Sequence, residues 1–230
     1  MPINFDTLKT SENNLRKLFL KFYSHVLASQ DYLYKQFATS KKISAQTLQY
    51  IVTKEKIANQ YEAQILDEAS WIISKDQPRA THLRYLIAIM RSIKDLERMG
   101  DFVERITRIL YHQTKLDNGL IKIICRLMKE SYDFAKGICR NLHFDSKQNK
   151  NYYVNNATSN FQDFSKKYRA AFKEIGQKIF KSKRDINSKI AIFTAIKNIE
   201  RNADHAFNIL ENFIYISQPD FYFRKESRKG

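Results

Sequence analysis

Apolar residues recur at three- and four-residue intervals along almost the whole chain. Leu15, Leu18, Phe19, Phe22 and Val26 form one such stripe; Ile57, Tyr61, Ile65, Ile72 and Ile73 form another; Leu83, Leu86, Ile87, Met90 and Ile93 begin a third. That spacing places each set on one face of an α-helix, while the strict alternation of a strand is hard to find in any window of strand length. The pattern predicts about six helices, many of ~25–35 residues, each ~40–50 Å long at a rise of 1.5 Å per residue. Breaks fall where the residues favour turns. Ala38–Lys42 separates the first and second helices. Lys75-Asp76-Gln77-Pro78 ends the second, because proline disfavours helix in the residue before it, and Thr81 is then placed to cap the third. Asp117-Asn118-Gly119 separates the third from the fourth, and the polar stretch Phe144–Asn151 reads as a loop. Lys181–Asp185 turns the fifth helix into the sixth, and Pro219 follows the end of the last.

A repeat organises these helices. Residues 87–101, IAIMRSIKDLERMGD, return 103 positions later as IAIFTAIKNIERNAD at 190–204, with eight of fifteen positions identical and no gap. Each copy lies in the third helix of its half. The chain is therefore expected to be all-α, two tandem three-helix bundles related by internal duplication: residues 1–115, then 116–222, then a basic tail at 223–230. The scarcity of Gly (5) and Pro (3) in 230 residues suits long helices with few turns.

Composition narrows the function classes. The chain carries 40 Lys and Arg against 24 Asp and Glu, a formal charge of +16. Lys is spread throughout beside many Asn and Ile, as a low-GC genome produces, so the charge reads first as compositional; it also predicts loose binding to polyanions at low salt. The basic residues lack the interleaved pattern of a nucleic-acid reader, and no short helix-turn-helix stands out. The two cysteines, Cys125 and Cys139, form no CxxC pair and fit a reducing compartment. The first residues carry no basic and apolar leader, and no apolar run approaches the ~18 residues of a membrane span, so a soluble, cytoplasmic protein is expected. There is neither a phosphate-cradling glycine loop nor a GxSxG elbow, and the five histidines form no HExxH.

One constellation remains. Both copies of the repeat contain Glu-Arg-x-x-Asp: Glu97, Arg98 and Asp101, then Glu200, Arg201 and Asp204. Glu and Asp four residues apart share a helical face with Cβ atoms ~6 Å apart, and two like charges so placed cost a few tenths of a kcal/mol unless a cation bridges them. An acidic face in solvent, or an intrahelical pair with the Arg, would explain one copy; two copies in register favour a shared role. All-carboxylate clusters suit hard cations such as manganese, magnesium, calcium or ferrous iron. His205, beside Asp204, is the one histidine placed to join such a site. A di-iron-type enzyme would need His three residues after the Glu, which neither copy has.

These stretches carry a resemblance. IKDLERMGDFVERI and IKNIERNADHAFNI resemble the two signature helices of the PhoU family of phosphate-transport regulatory proteins. Gln77–Arg84, QPRATHLR, resembles the family's QPxAxDLR turn, with His82 where Asp is usual, and Asn212-Phe213-Ile214-Tyr215-Ile216 fits the end of its last helix. The resemblance covers nearly the whole chain and is strongest over residues 55–110 and 185–220. It implies no catalysis, but repression of phosphate uptake or signalling by contact with the ATPase subunit of the high-affinity phosphate transporter at the inner membrane face. A phosphate-sensing histidine kinase would be a second partner, and a homodimer the expected assembly. It also implies paired E/DxxxD metal motifs. Mapped here, Glu97 and Asp101 would face Glu55 and Asn59, and Glu200 and Asp204 would face Asp163 and Lys167. Asn59 removes a charge, and Lys167 puts a cation where an acid is expected. A bound divalent ion is thus expected to be weak at the first site and poor or absent at the second. A basic helical protein binding nucleic acid or an anionic surface is the alternative.

Overall fold

The computed structural model describes residues 5–113, 116–142 and 150–217. Six helices account for nearly all of them: α1 Phe5–Ser40, α2 Ala45–Asp76, α3 Thr81–His112, α4 Asn118–Asn141, α5 Lys150–Lys181 and α6 Ile186–Ser217. The all-α expectation and the count of six hold. The 223–230 tail and most of the predicted loop after α4 lie outside the described residues.

Local chemistry sets most of the boundaries. Ser44 caps α2, its hydroxyl accepting from the Thr47 amide at 3.0 Å. Asp117 caps α4 through the Leu120 amide at 3.0 Å. At α6, Asp185 accepts from the Ser188 amide at 2.9 Å. Each satisfies a backbone donor that has no partner inside its helix. The predicted cap at Thr81 is not what forms. Thr81 is already helical, and the cap position is Ala80, whose side chain has nothing to offer. The turn is made by the backbone instead: Gln77 and Ala80 both take positive φ, 44° and 50°. With two left-handed residues around Pro78, the chain reverses within four residues, and the Thr81 hydroxyl is left to accept from the Arg84 guanidinium at 3.0 Å.

Helices α1–α3 pack together, as do α4–α6, giving two three-helix bundles. The most extensive contact in the molecule, however, is α3 against α6, between the bundles, and α1 also packs on α4. Along α3 and α6 the pairs run Ser92–Asn212, Asp95–Asn208 and Met99–Asn202. One number rises as the other falls, so the repeated helices lie antiparallel. A single apolar core runs through all six helices, from Leu8, Leu15 and Phe19 to Ile196, Ile199 and Ile209. The repeat places Ile89 and Ile192, and Ile93 and Ile196, fully inside it. No helix among the described residues is long and apolar enough to cross a membrane.

Candidate functional site

The first acidic step lies half-buried on α3, toward α2. Burial raises the pKa of Glu97, and the charges of Asp101 and Glu62 raise it further. Burial likewise raises Asp101, against the Arg105 guanidinium 3.5 Å away, with Glu104 and Glu62 adding to the rise. The α2 acid whose field reaches both is thus Glu62, one helical turn and more beyond the expected pair. Glu62 is itself ion-paired with Lys94. Glu55 and Asn59 instead bond each other, the Asn59 amide donating to the Glu55 carboxylate at 2.5 Å. Glu55 lies beside Ala58, Gly100 and His25.

The second step assembles differently. Glu200 is ion-paired with Lys197 within its own helix. Burial and the Glu200 charge raise Asp204. From α5 the residue that meets them is Tyr168: burial, then the charge and hydrogen bond of Glu200, hold its phenol protonated well above the ordinary range. Asp163 belongs to another place. Lys167 reaches it at 3.0 Å and reaches Glu130 of α4 at 3.8 Å. These three border an open groove of about 510 Å³ between α4 and α5, lined also by Asp133, Asn156 and Asn160. The reason is helical phase: α5 turns its aromatic face, Phe161, Phe164 and Tyr168, into the bundle, which swings Asp163 away from α6.

Among the described residues no three Asp, Glu, His or Cys side chains stand close enough together to hold a metal ion. The first step has the electrostatics of a cation site, carboxylates raised by one another with incomplete neutralisation, but its third acid is held by Lys94. The second step has two acids, a neutral phenol and Lys197, which does not fit a divalent ion.

The densest polar chemistry joins the two repeats. Asp95 and His205 meet at 2.7 Å, their side chains 15% and 17% exposed. Asn208 and Asn212 donate to the same carboxylate, each at 3.3 Å, and Asn212 also reaches the Ser92 hydroxyl. Deeper in, the Asn202 carbonyl accepts from the Gln30 amide at 2.8 Å and its amide donates to the Met99 carbonyl at 3.3 Å. The Nδ1 of His205 is thus taken by Asp95 of the other repeat.

Comparison with known proteins agrees with this architecture. The PhoU family model, a PhoU domain, matches residues 11–110. The chain is PhoU-like. Over 96% of its length it is 28% identical to an uncharacterised protein of Mycoplasma genitalium, covering 98% of that protein. It is 28% identical to the phosphate-specific transport system accessory protein PhoU homolog of Pseudomonas aeruginosa, over 84% of this chain and 81% of the relative. The crystal structure of the phosphate transport system regulatory protein PhoU from Streptococcus pneumoniae superposes with a TM-score of 0.79 at 21% identity, over 93% of this chain and 98% of that one. PhoU from Pseudomonas aeruginosa gives 0.69 over 92% and 99%.

Within this PhoU-like frame the departures noted in the sequence acquire partners. His82, where the family turn has Asp, meets Glu12 of α1 at 2.8 Å. Burial raises Glu12, and the His82 hydrogen bond works against that rise. Asn202, where the first repeat has Met99, is the inter-repeat hydrogen-bonding residue just described. Cys125 and Cys139 are free and half-buried, with burial raising both thiols to about 11, so neither is a ready nucleophile. Asp95, Asn208, Asn212 and Gln30 were not singled out by sequence reasoning. The signal available was that Asp95/Asn198 and Met99/Asn202 are two of the seven positions at which the aligned repeats differ.

Proposed function

We propose that this protein regulates phosphate uptake as a PhoU-type accessory protein, acting by contact and without catalysis of its own. The observation that carries the reading is the PhoU domain match over residues 11–110, joined to accessory-protein relatives that align across most of the chain. The contact would repress the high-affinity phosphate transporter through its ATPase subunit at the cytoplasmic face, with a phosphate-sensing histidine kinase as a further partner and a homodimer as the working assembly. Half-buried acids on α3 and long helical faces support a role by contact. The test is a pull-down of the ATPase subunit from the same cell, with and without manganese. Retention that falls when Glu97 and Asp101 are both changed to Ala supports the reading; no retention under either condition overturns this partner.

The same proposal assigns divalent metal unequally. Glu97 and Asp101 would take manganese, magnesium or ferrous iron weakly, after Glu62 leaves Lys94, while Glu200, Asp204 and Asp163 would not. In calorimetric titration with manganese, Glu97→Ala is expected to lose the heat that wild type gives and Glu200→Ala to keep it. Equal heats from wild type and Glu97→Ala would rule the assignment out.

A further inference from the structure

The three most exposed large apolar side chains among the described residues all sit at one turn. Phe180 is 76% exposed, Ile186 67% and Ile190 56%. Ile186, Ile190 and Phe193 follow one face of α6 at intervals of four and three. Phe172 and Phe180 of α5 lie against it, with ring centroids 5.2 Å and 6.4 Å from Phe193. The α5–α6 turn thus ends in a continuous apolar surface.

Basic residues surround it. Between positions 173 and 189 stand Lys173, Lys178, Lys181, Lys183, Arg184 and Lys189, against only Glu174 and Asp185. Both acids are engaged: Glu174 with Arg126 at 3.8 Å, and Asp185 with the Ser188 amide and hydroxyl. Lys178 and Lys181 would complement the carboxyl end of α5 in any protein, but Lys183, Arg184 and Lys189 crowd the amino end of α6, where the helix dipole opposes cations. The first repeat shows that this arrangement does not follow from the fold. At the equivalent positions Leu83 and Ile87 are half-buried, and the turn is tied down by His82 on Glu12 and by Arg84 on the Ile216 carbonyl. Only the second copy leaves its helix start bare.

We propose that the α5–α6 turn docks on an anionic lipid bilayer, Phe180, Ile186 and Ile190 entering the headgroup region and the lysines pairing with lipid phosphates. An amphipathic element of this kind holds a surface by burying apolar side chains and by attraction to anionic lipid together. Two of the three most exposed side chains, Ile186 and Ile190, are aliphatic and give a nucleic acid no ring to stack on. A second copy of the same tip would bring like charges together on a chain already at +16. The inference does not depend on the regulatory role above.

Flotation with vesicles tests it. Full-length protein should bind vesicles of phosphatidylcholine containing one-third phosphatidylglycerol and not vesicles of phosphatidylcholine alone. Phe180→Ser with Ile186→Ser, which leaves the charge untouched, should cut binding tenfold or more. Lys181→Gln with Lys183→Gln should cut it by about fivefold per charge, the equivalent of ~1 kcal/mol per lysine near an anionic surface. Lys9→Gln with Lys17→Gln, the same charge lost near the opposite end of the molecule, should change it little. Since Trp71 is the sole tryptophan, Phe180→Trp in a Trp71→Phe background should blue-shift its emission on anionic vesicles. Equal losses from tip and control lysines would mean only diffuse attraction, and would overturn the proposal. So would an unshifted Phe180→Trp emission, or capture on polyglutamate that needs the tip while anionic vesicles are ignored, which would point to an acidic protein.

Discussion

At Gly100, between the arginine and the aspartate of the first motif, the chain spends a glycine inside a long helix. A Cβ built there would come 3.5 Å from the Ala58 Cβ, an ordinary contact, and φ is not positive. The second repeat has Ala203 at that position, fully buried. Gly100→Ala is therefore expected to stabilise by about 0.5–1 kcal/mol through reduced backbone entropy, read as a rise in thermal midpoint. Glu97 allows a second prediction. Its pKa is raised, so the folded protein holds the proton more tightly than the unfolded chain does. Above the raised pKa the ionised side chain destabilises the fold in full; the penalty fades as pH falls toward the ordinary carboxylate pKa. Glu97→Gln should thus stabilise by a few tenths of a kcal/mol at neutral pH, the scale of a like-charged pair one turn apart. Melts repeated down to pH 4 should show that gain shrinking.

At the scale of helices, the α3–α6 pairing is held in register by Asp95. One carboxylate serves His205, Asn208 and Asn212, and its removal leaves three polar side chains short of an acceptor in a largely buried seam. Leaving a buried polar group without its hydrogen-bond partner costs about 1–3 kcal/mol, and Asp95 makes more than one such contact. Asp95→Ala is accordingly expected to lower the thermal midpoint by roughly 6–15 °C for a chain of this size, with Asp95→Asn recovering part of the loss. A midpoint within a degree or two of wild type would show that the cluster is solvated and incidental. The seam also explains why the repeat is imperfect. An antiparallel pair of identical helices would set Met99 opposite Met and Asp95 opposite Phe102 and Arg105; the second copy instead places Asn202 opposite Met99, and His205 and Asn208 opposite Asp95, so that polar side chains bond across the seam.

For the whole molecule, the two bundles share one core, and their largest helix contact lies between them. The expected boundary near residue 115 follows the chain connection, and we propose that it does not mark an independently stable unit. A fragment of residues 1–115 would expose the α6-facing side of α3 and the α4-facing side of α1. It should melt without a cooperative transition, while the full chain unfolds in one step; calorimetry on both decides the point.

How much of this was legible beforehand follows from what kind of physics each feature uses. Helix positions, their number and the turns at Asp117 and Asp185 are local: hydrophobic spacing and side-chain caps act within a few residues, so the chain itself announces them, while the first turn, read at Ala38–Lys42, falls a few residues later, between Ser40 and Ala45. The duplication is legible for the same reason, since 87–101 and 190–204 can be compared directly. The resemblance to PhoU rests on those stretches too. Thr81 was misplaced because a turn built on left-handed Gln77 and Ala80 leaves no side-chain signal. Which acids meet across helices was settled by tertiary packing alone. A shift of about two turns along α2 brings Glu62 rather than Glu55 to Glu97. The inward phase of the α5 aromatics carries Asp163 toward α4 and puts Tyr168 beside Glu200. The antiparallel docking of the repeats, which gave Asp95 its partners more than 100 residues away, is likewise a property of two surfaces meeting. Spacing along one helix determines which residues share a face; only the packed fold determines what that face meets.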